Sequence, residues 1–290
     1  MPGWAWAVIA GLSFGISQLA NRGLNRDIDA FRATTAMLTS LLGFLIVALV
    51  MTGDLSALPD VTAVAVFWFV AASLVHFLAG WTAFAFSQQR IGPSRTAAIL
   101  SVNPVMAAII AWLLLSESLK LVTWLGVVAV TLGVAIITTA RLTDGSWTNP
   151  TLVLLATLAF SISPIFVRWG LDEFDYPLLG LAVGMAVTVP TMHIISRLTS
   201  GEWVTVPLGT RKWLAGGSMG ALAITAQWTA FGLIPIGVAI SLQQLATPVV
   251  LFMGPILLAA PAERATPRLI GGTAMVIAGS VLVALFGRPL

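Results

Sequence analysis

Cysteine is missing from all 290 residues, so neither disulfides nor thiolate metal sites are available and no redox compartment can be read. Only two histidines occur, His76 and His193, and they stand far apart in the chain. No GxSxG, HExxH or GxxxxGK(S/T) run is present, which removes the signatures of an esterase elbow, a zinc protease helix and a phosphate-binding loop. An intramembrane hydrolase would need a nucleophile and base pair that the sequence does not supply, so the reading is not an enzyme. Charge is scarce as well. Asp, Glu, Lys and Arg make up 9% of the chain, against roughly 25% in a soluble domain, while 58% is hydrophobic and the mean hydropathy is +0.99. This is the composition of a membrane protein. The net charge of +3 carries no nucleic-acid reading, because basic residues in such a chain mainly set its orientation.

What is present in quantity is long apolar runs. Read between charged, Gly/Pro and Asp/Asn breaks, ten reach or approach the roughly 20 residues that cross a bilayer. They cover 4–21, 33–51, 62–87, 94–115, 121–140, 150–169, 177–196, 213–234, 237–259 and 267–286. Lipid-exposed backbone must satisfy itself, and these runs do not alternate as barrel strands do, so all ten are expected to be helices. The first run lacks a basic leader and a clear cleavage site, and reads as a span kept in the mature protein.

The runs repeat. Ile91–Gly92 is answered by Ile236–Gly237, Asn103–Pro104 by Thr247–Pro248, Glu117 by Glu263, and Gly126 and Gly133 by Gly272 and Gly279. The offsets are 236−91=145, 248−104=144, 263−117=146 and 279−133=146. Upstream, Phe14-Gly15-Ile16-Ser17 is answered by Phe160-Ser161-Ile162-Ser163, Trp81-Thr82-Ala83-Phe84 by Trp228-Thr229-Ala230-Phe231, and Arg22 by Arg168. A unit of five spans occurring twice must enter the membrane in opposite senses, because five is odd. The expected fold is therefore an all-α membrane protein of ten transmembrane helices, built as two inverted five-helix repeats, 1–145 and 146–290, with a site between them near mid-bilayer.

With this span count, and the order Gly, small residues, Pro, Leu-rich turn, Glu, Gly, Gly in each half, the chain resembles the drug/metabolite transporter superfamily, specifically its EamA-type members. Phe14-Gly15 stands where the family carries Trp-Gly, Arg22 where it has a basic residue closing the first span, and Arg32 where an Arg opens the second. Glu117 and Glu263 match the family's closing Glu of the fourth and ninth spans. The chain departs in Phe14 itself and in Leu178 to Gly180, where the family has an Arg. The resemblance implies a transporter, and it implies both termini in the cytoplasm. Loop charge argues the reverse. Only Lys120, Arg168 and Arg288 lie on the side of the termini, and the other 11 of the 14 basic residues lie opposite, so the positive-inside rule places both termini outside.

Polar groups inside spans are costly and mark the residues from which a site would be built. His76, mid-way along the third span, is placed to bond a substrate or take a coupled proton, or else to hold two helices together. Asn103–Pro104 and Thr247–Pro248 interrupt the fourth and ninth spans, where a kink or unwound turn would free backbone acceptors. Gln243 and Thr247, four apart, are expected on one face. Gln18 and Gln227 lie off-centre in the first and eighth spans, and the repeat-related Trp81 and Trp228 are the tryptophans set inside theirs, suited to stacking on an aromatic or cationic group or to core packing. The expected binding set is thus Gln18, His76, Trp81, Asn103, Gln227, Trp228, Gln243 and Thr247. Arg22 and Arg168 are expected at opposite mouths, as cavity charges or as snorkelling anchors. Glu117 and Glu263 sit beside Lys120 and Arg264 and read as loop structure.

The function read from these residues is an alternating-access secondary transporter of a small organic metabolite or drug, amino-acid-like or aromatic and cationic, in a cytoplasmic (inner) membrane. A carrier or flippase of an anionic or lipid-linked substrate using Arg22 and Arg168 is the second reading. A non-transporting membrane scaffold is the third. The expected partners are the substrate and the lipid bilayer, with a coupled proton and a homodimer left open, and no cofactor, metal or nucleic acid enters.

Overall fold

A computed structural model describes residues 1–21, 29–139, 150–205, 211–258 and 266–287, and every regular element among these is helical. The first half runs through α1 (Gly3–Asn21), α2 (Ala30–Thr52) and α3 (Ala63–Ser73), which continues through a π-helical segment, Leu74–Trp81, into α4 (Thr82–Ile91). Then come α5 (Pro93–Leu100), α6 (Asn103–Leu115) and α7 (Leu121–Thr139). The second half holds α8 (Thr151–Glu173), α9 (Pro177–Ser200), α10 (Arg211–Leu233), α11 (Ile236–Gln243), α12 (Ala246–Leu258) and α13 (Pro267–Phe286). Arg22 and Glu263 lie outside the described residues.

Nine helical stretches among the described residues are long and apolar enough to cross a membrane. The expected eighth span, α10, is fully helical over 23 residues but is not among them. Its sequence explains this. Gly216, Gly217, Ser218, Gly220, Thr225, Gln227 and Thr229 dilute its hydropathy, and most of its length is buried between other helices, where small residues permit close approach and no lipid-facing coat is needed.

Both interrupted spans break, but the breaks precede the prolines. Helix α5 ends at Leu100, a turn occupies Ser101–Val102, and α6 restarts at Asn103 with Pro104 in its first turn. Likewise α11 ends at Gln243, and α12 restarts after a turn at Gln244–Leu245. Proline is tolerated in the first turn of a helix, where its missing N–H would have had no intrahelical partner, so restarting costs less than bending through it. Gln243 and Thr247 consequently belong to different helices and do not share one face as the sequence spacing suggested.

Helices pack across the two halves in a repeated pattern: α7 runs along α13, α1 along α10, α8 along α3, the π segment and α4, and α2 crosses α9. The α7–α13 pair meets backbone to backbone. A Cβ added at Gly133 would lie 2.7 Å from the Gly272 carbonyl, and one at Gly279 would lie 2.7 Å from that of Gly126. The main core gathers Phe69, Phe77, Leu171, Leu179, Trp228 and Phe231. Outward, Phe67, Trp112, Leu121, Leu125, Phe252, Ile270 and Leu285 are exposed. That coat would be a liability in water, and it is what lipid covers.

Candidate functional site

Midway along its span the third transmembrane stretch widens into the π segment, which presents His76 and Trp81 inward. Local π turns open a helix by one residue and often occur at functional positions. The Nδ1 of His76 is 2.8 Å from the Ser163 hydroxyl of α8. Around the imidazole stand Phe77 at 4.7 Å, Phe160 at 4.9 Å and Trp81 at 6.5 Å between ring centroids. Trp81 in turn meets Phe14 of α1 edge-on at 6.1 Å, so rings from α1, the π segment and α8 form one aromatic box. Gly80 makes this possible, because a Cβ there would lie 2.7 Å from the Phe160 ring.

Asn103, first residue of α6, accepts a hydrogen bond from the Ser161 hydroxyl at 2.7 Å. Ser161 and Ser163 are two apart on α8, so they project about 200° around the helix from each other and hold Asn103 and His76 on different sides of it. Gln227 donates from Nε2 to Gln243 Oε1 at 2.6 Å, joining α10 to the end of α11. The three polar residues nearest the span centres, His76, Asn103 and Gln243, are therefore held in three separate pairs rather than in one contact set. Gln18 is exposed, one turn beyond Phe14, and Thr247 is half-buried with its amide bonded to the Gln244 carbonyl at 2.9 Å. Trp228 takes the core-packing alternative of its two expected roles in this structure. It is 1% exposed and packs on Phe69 at 5.8 Å, enclosed because α10 is wrapped by its neighbours, so it belongs to the core.

A second polar cluster sits at the end of the bundle that holds the N-terminus, where a Cβ on Gly3 would meet Ile234. Arg168, near the end of α8, contacts Glu117 Oε1 at 3.3 Å through Nη2 and donates to the Ile234 carbonyl at 2.7 Å. The other Glu117 oxygen accepts from the Ile236 amide, the first of α11, at 2.8 Å. Burial raises the pKa of Glu117 above the ordinary carboxylate value, opposed by the Ile236 N–H and by the Arg168 charge. Beside the pair is a cavity of about 110 Å³ lined by Glu117, Ser118, Arg168, Leu233, Ile234 and Pro235. Arg168 is thus no free mouth charge, because its guanidinium is already matched by a carboxylate and a carbonyl. Glu117 does organise loops, as expected, but across the bundle and not through Lys120.

Ser161 and Ser163, which hold Asn103 and His76, and Phe160, which shapes the box, were not among the expected site residues. The signal was available. All three lie in Phe160–Ser163, the stretch that answers Phe14–Ser17, and serines on membrane helices favour hydrogen bonds to a neighbouring helix. His193 joins α9 to α2, with Nε2 2.8 Å from the Thr39 hydroxyl.

No curated protein matches the chain. A solved structure described as a crystal structure of a protein, 14% identical over 99% of both chains, superimposes with a TM-score of 0.74 and shares the fold. Residues 1–139 match the EamA-like transporter family. The first half of this multi-pass apolar bundle thus matches the EamA-like transporter family, which is part of the drug/metabolite transporter superfamily.

Proposed function

We propose that the chain is an alternating-access carrier of a small, uncharged or cationic organic solute bearing an aromatic or apolar body, working in a cytoplasmic membrane. The observation that carries this is the aromatic box of Phe14, His76, Phe77, Trp81 and Phe160 at mid-span, whose polar contact is a neutral serine. Ring faces attract cations and stack on flat apolar groups, and a few neutral polar groups orient the rest. Asn103 with Ser161, Gln227 with Gln243, and exposed Gln18 supply such groups on neighbouring helices. Each pair can trade its internal hydrogen bond for one to solute at small net cost, since a typical exchange is worth only about 0.5–1.5 kcal/mol.

The two-half architecture, ten spans as 1–145 and 146–290 in inverted orientation, forms part of this reading and draws support from α7 and α13. Gly126 meets Gly279 and Gly133 meets Gly272. Adding 146 to each first-half partner gives 126+146=272 and 133+146=279, so exchanging the halves returns the same contacts, as a two-fold axis requires. The matched packing of α1 on α10 and α8 on α3–α4 follows the same exchange. Anionic substrates are disfavoured by the pairing of Arg168 with Glu117.

The test is uptake into proteoliposomes, preceded by a screen for solutes that raise the melting temperature. Saturable flux of a cationic or neutral aromatic solute is the expected result. Flux of phosphorylated solutes alone would turn the reading toward the anionic carrier, and a folded protein with no flux across a broad panel would favour a scaffold. Repeating uptake with an imposed pH gradient shows whether a proton is coupled.

A further inference from the structure

The Glu117–Arg168 cluster lies away from the aromatic box and is not needed to build it. Its two members come from different halves: Glu117 follows α6, whereas Arg168, Ile234 and Ile236 all lie beyond residue 145. Arg168 is seven residues beyond Ser161, which puts the two on the same face of α8 about 10 Å apart along the axis. Between them on that side, Ile165 is fully buried. The ion pair therefore stands about two turns of α8 from the Asn103–Ser161 pair, on the same side of that helix and nearer the N-terminal face.

We propose that Glu117, Arg168, the Ile234 carbonyl and the Ile236 amide form the closed gate of the transport path on the N-terminal face, and that solute crosses this face only when these contacts part. This rests on the two-half carrier reading. If the halves rock, contacts bridging them at one face must be made in one state and broken in the other. The cluster is suited to that cycle. The Arg168 Nε is buried with no hydrogen-bond partner, so the closed arrangement is incompletely satisfied. The charged side chains keep 21% and 14% of their surface exposed beside the adjoining cavity, so separation lets water replace the lost contacts on both partners at once. Removing one partner alone behaves differently, because it strands a half-buried charge and pushes the equilibrium toward the open, hydrated state. A mere structural staple would lose stability on such a change without exposing the path beneath.

The chain has no cysteine, so accessibility can be read at single introduced thiols. In proteoliposomes, Ile165→Cys should react slowly with a membrane-impermeant thiol reagent supplied to the N-terminal face. Combined with Glu117→Gln it should react at least about tenfold faster, while a thiol on the opposite face keeps its rate. An unchanged Ile165→Cys rate in flux-competent Glu117→Gln protein overturns the gate. If Glu117→Gln does not fold, a second arm decides. Ser118→Cys with Leu233→Cys, joined across the cavity by a short reducible cross-linker, should stop flux until reduced, and flux that continues when cross-linked overturns the gate equally. Absence of flux in the unmodified protein counts against the carrier reading, whereas these thiol results in flux-competent protein bear on the gate alone.

Discussion

His76 is held by one hydrogen bond and by rings on three sides, so its replacement separates two roles that the sequence left open. His76→Ala, Asn103→Ala and Gln243→Ala each remove one neutral contact. Each should lower transport by up to about tenfold, the effect of losing about 0.5–1.5 kcal/mol, while extracting in normal yield. Initial uptake rates normalised to purified protein check this, and wild-type rates in all three would detach these residues from transport. Trp228→Ala should behave in the opposite manner. Its ring is buried on Phe69, so truncation opens a void and should destabilise the fold by about 3–5 kcal/mol, visible as a lower melting temperature in detergent. The pairing of Trp81 with Trp228 in the repeat suggested equal roles, yet the environments differ. Position in a repeat fixes where a side chain sits on its helix, but burial depends on which helix covers it, and that is not written at the position itself. Ser161 and Ser163 escaped notice for a related reason. Serine is neutral and small, and its role emerges only from the partner opposite.

At the scale of elements, the legible features were those with a long compositional signature. The last span, 267–286, coincides with α13, and the others differ by a few residues at their ends, as where the cap on Asp29 starts α2 at Ala30. The π segment was not legible, because widening a helix by one residue changes no residue type. Nor was the placement of the breaks, since a proline is compatible with a bend at itself or with a fresh helix that begins just before it. The glycines repay direct testing. Gly133→Ala would set a Cβ against the Gly272 carbonyl and the Val276 amide, backbone atoms that cannot swing aside, so α7 and α13 must separate. Overpacking of this kind typically costs about 1–3 kcal/mol. Gly43→Ala, inside α2 at a position with nothing within 4 Å, is the matched control and should melt no lower than the parent chain. Equal melting temperatures for the two variants would contradict the close α7–α13 contact.

For the whole molecule, the open quantity is which way it faces. Eleven of 14 basic residues on the side opposite the termini predict that the loop at Thr52 is non-cytoplasmic and that Ser94 lies near the cytoplasmic end of its span. Single cysteines at these positions should label from opposite sides of intact cells, Thr52→Cys from outside. Labelling of Thr52→Cys only after the membrane is permeabilised would establish the reverse orientation, the one usual in the family.

The glycine contact between α7 and α13 has a mechanical meaning. Two bodies that rock against each other turn about the place where they cannot part, and movement grows with distance from it. Backbones that touch at Gly126, Gly133, Gly272 and Gly279 leave almost no slack, so if the halves rock as proposed, this seam is the fulcrum and the Glu117–Arg168 end a point on the moving arm. Small rotations at the seam then become openings of several ångströms elsewhere. Tethering the seam, with Val130→Cys cross-linked to Val276→Cys, should leave turnover close to that of the untethered protein, although the same reagent across Ser118 and Leu233 arrests it. A tether at the fulcrum holds together what was never going to separate.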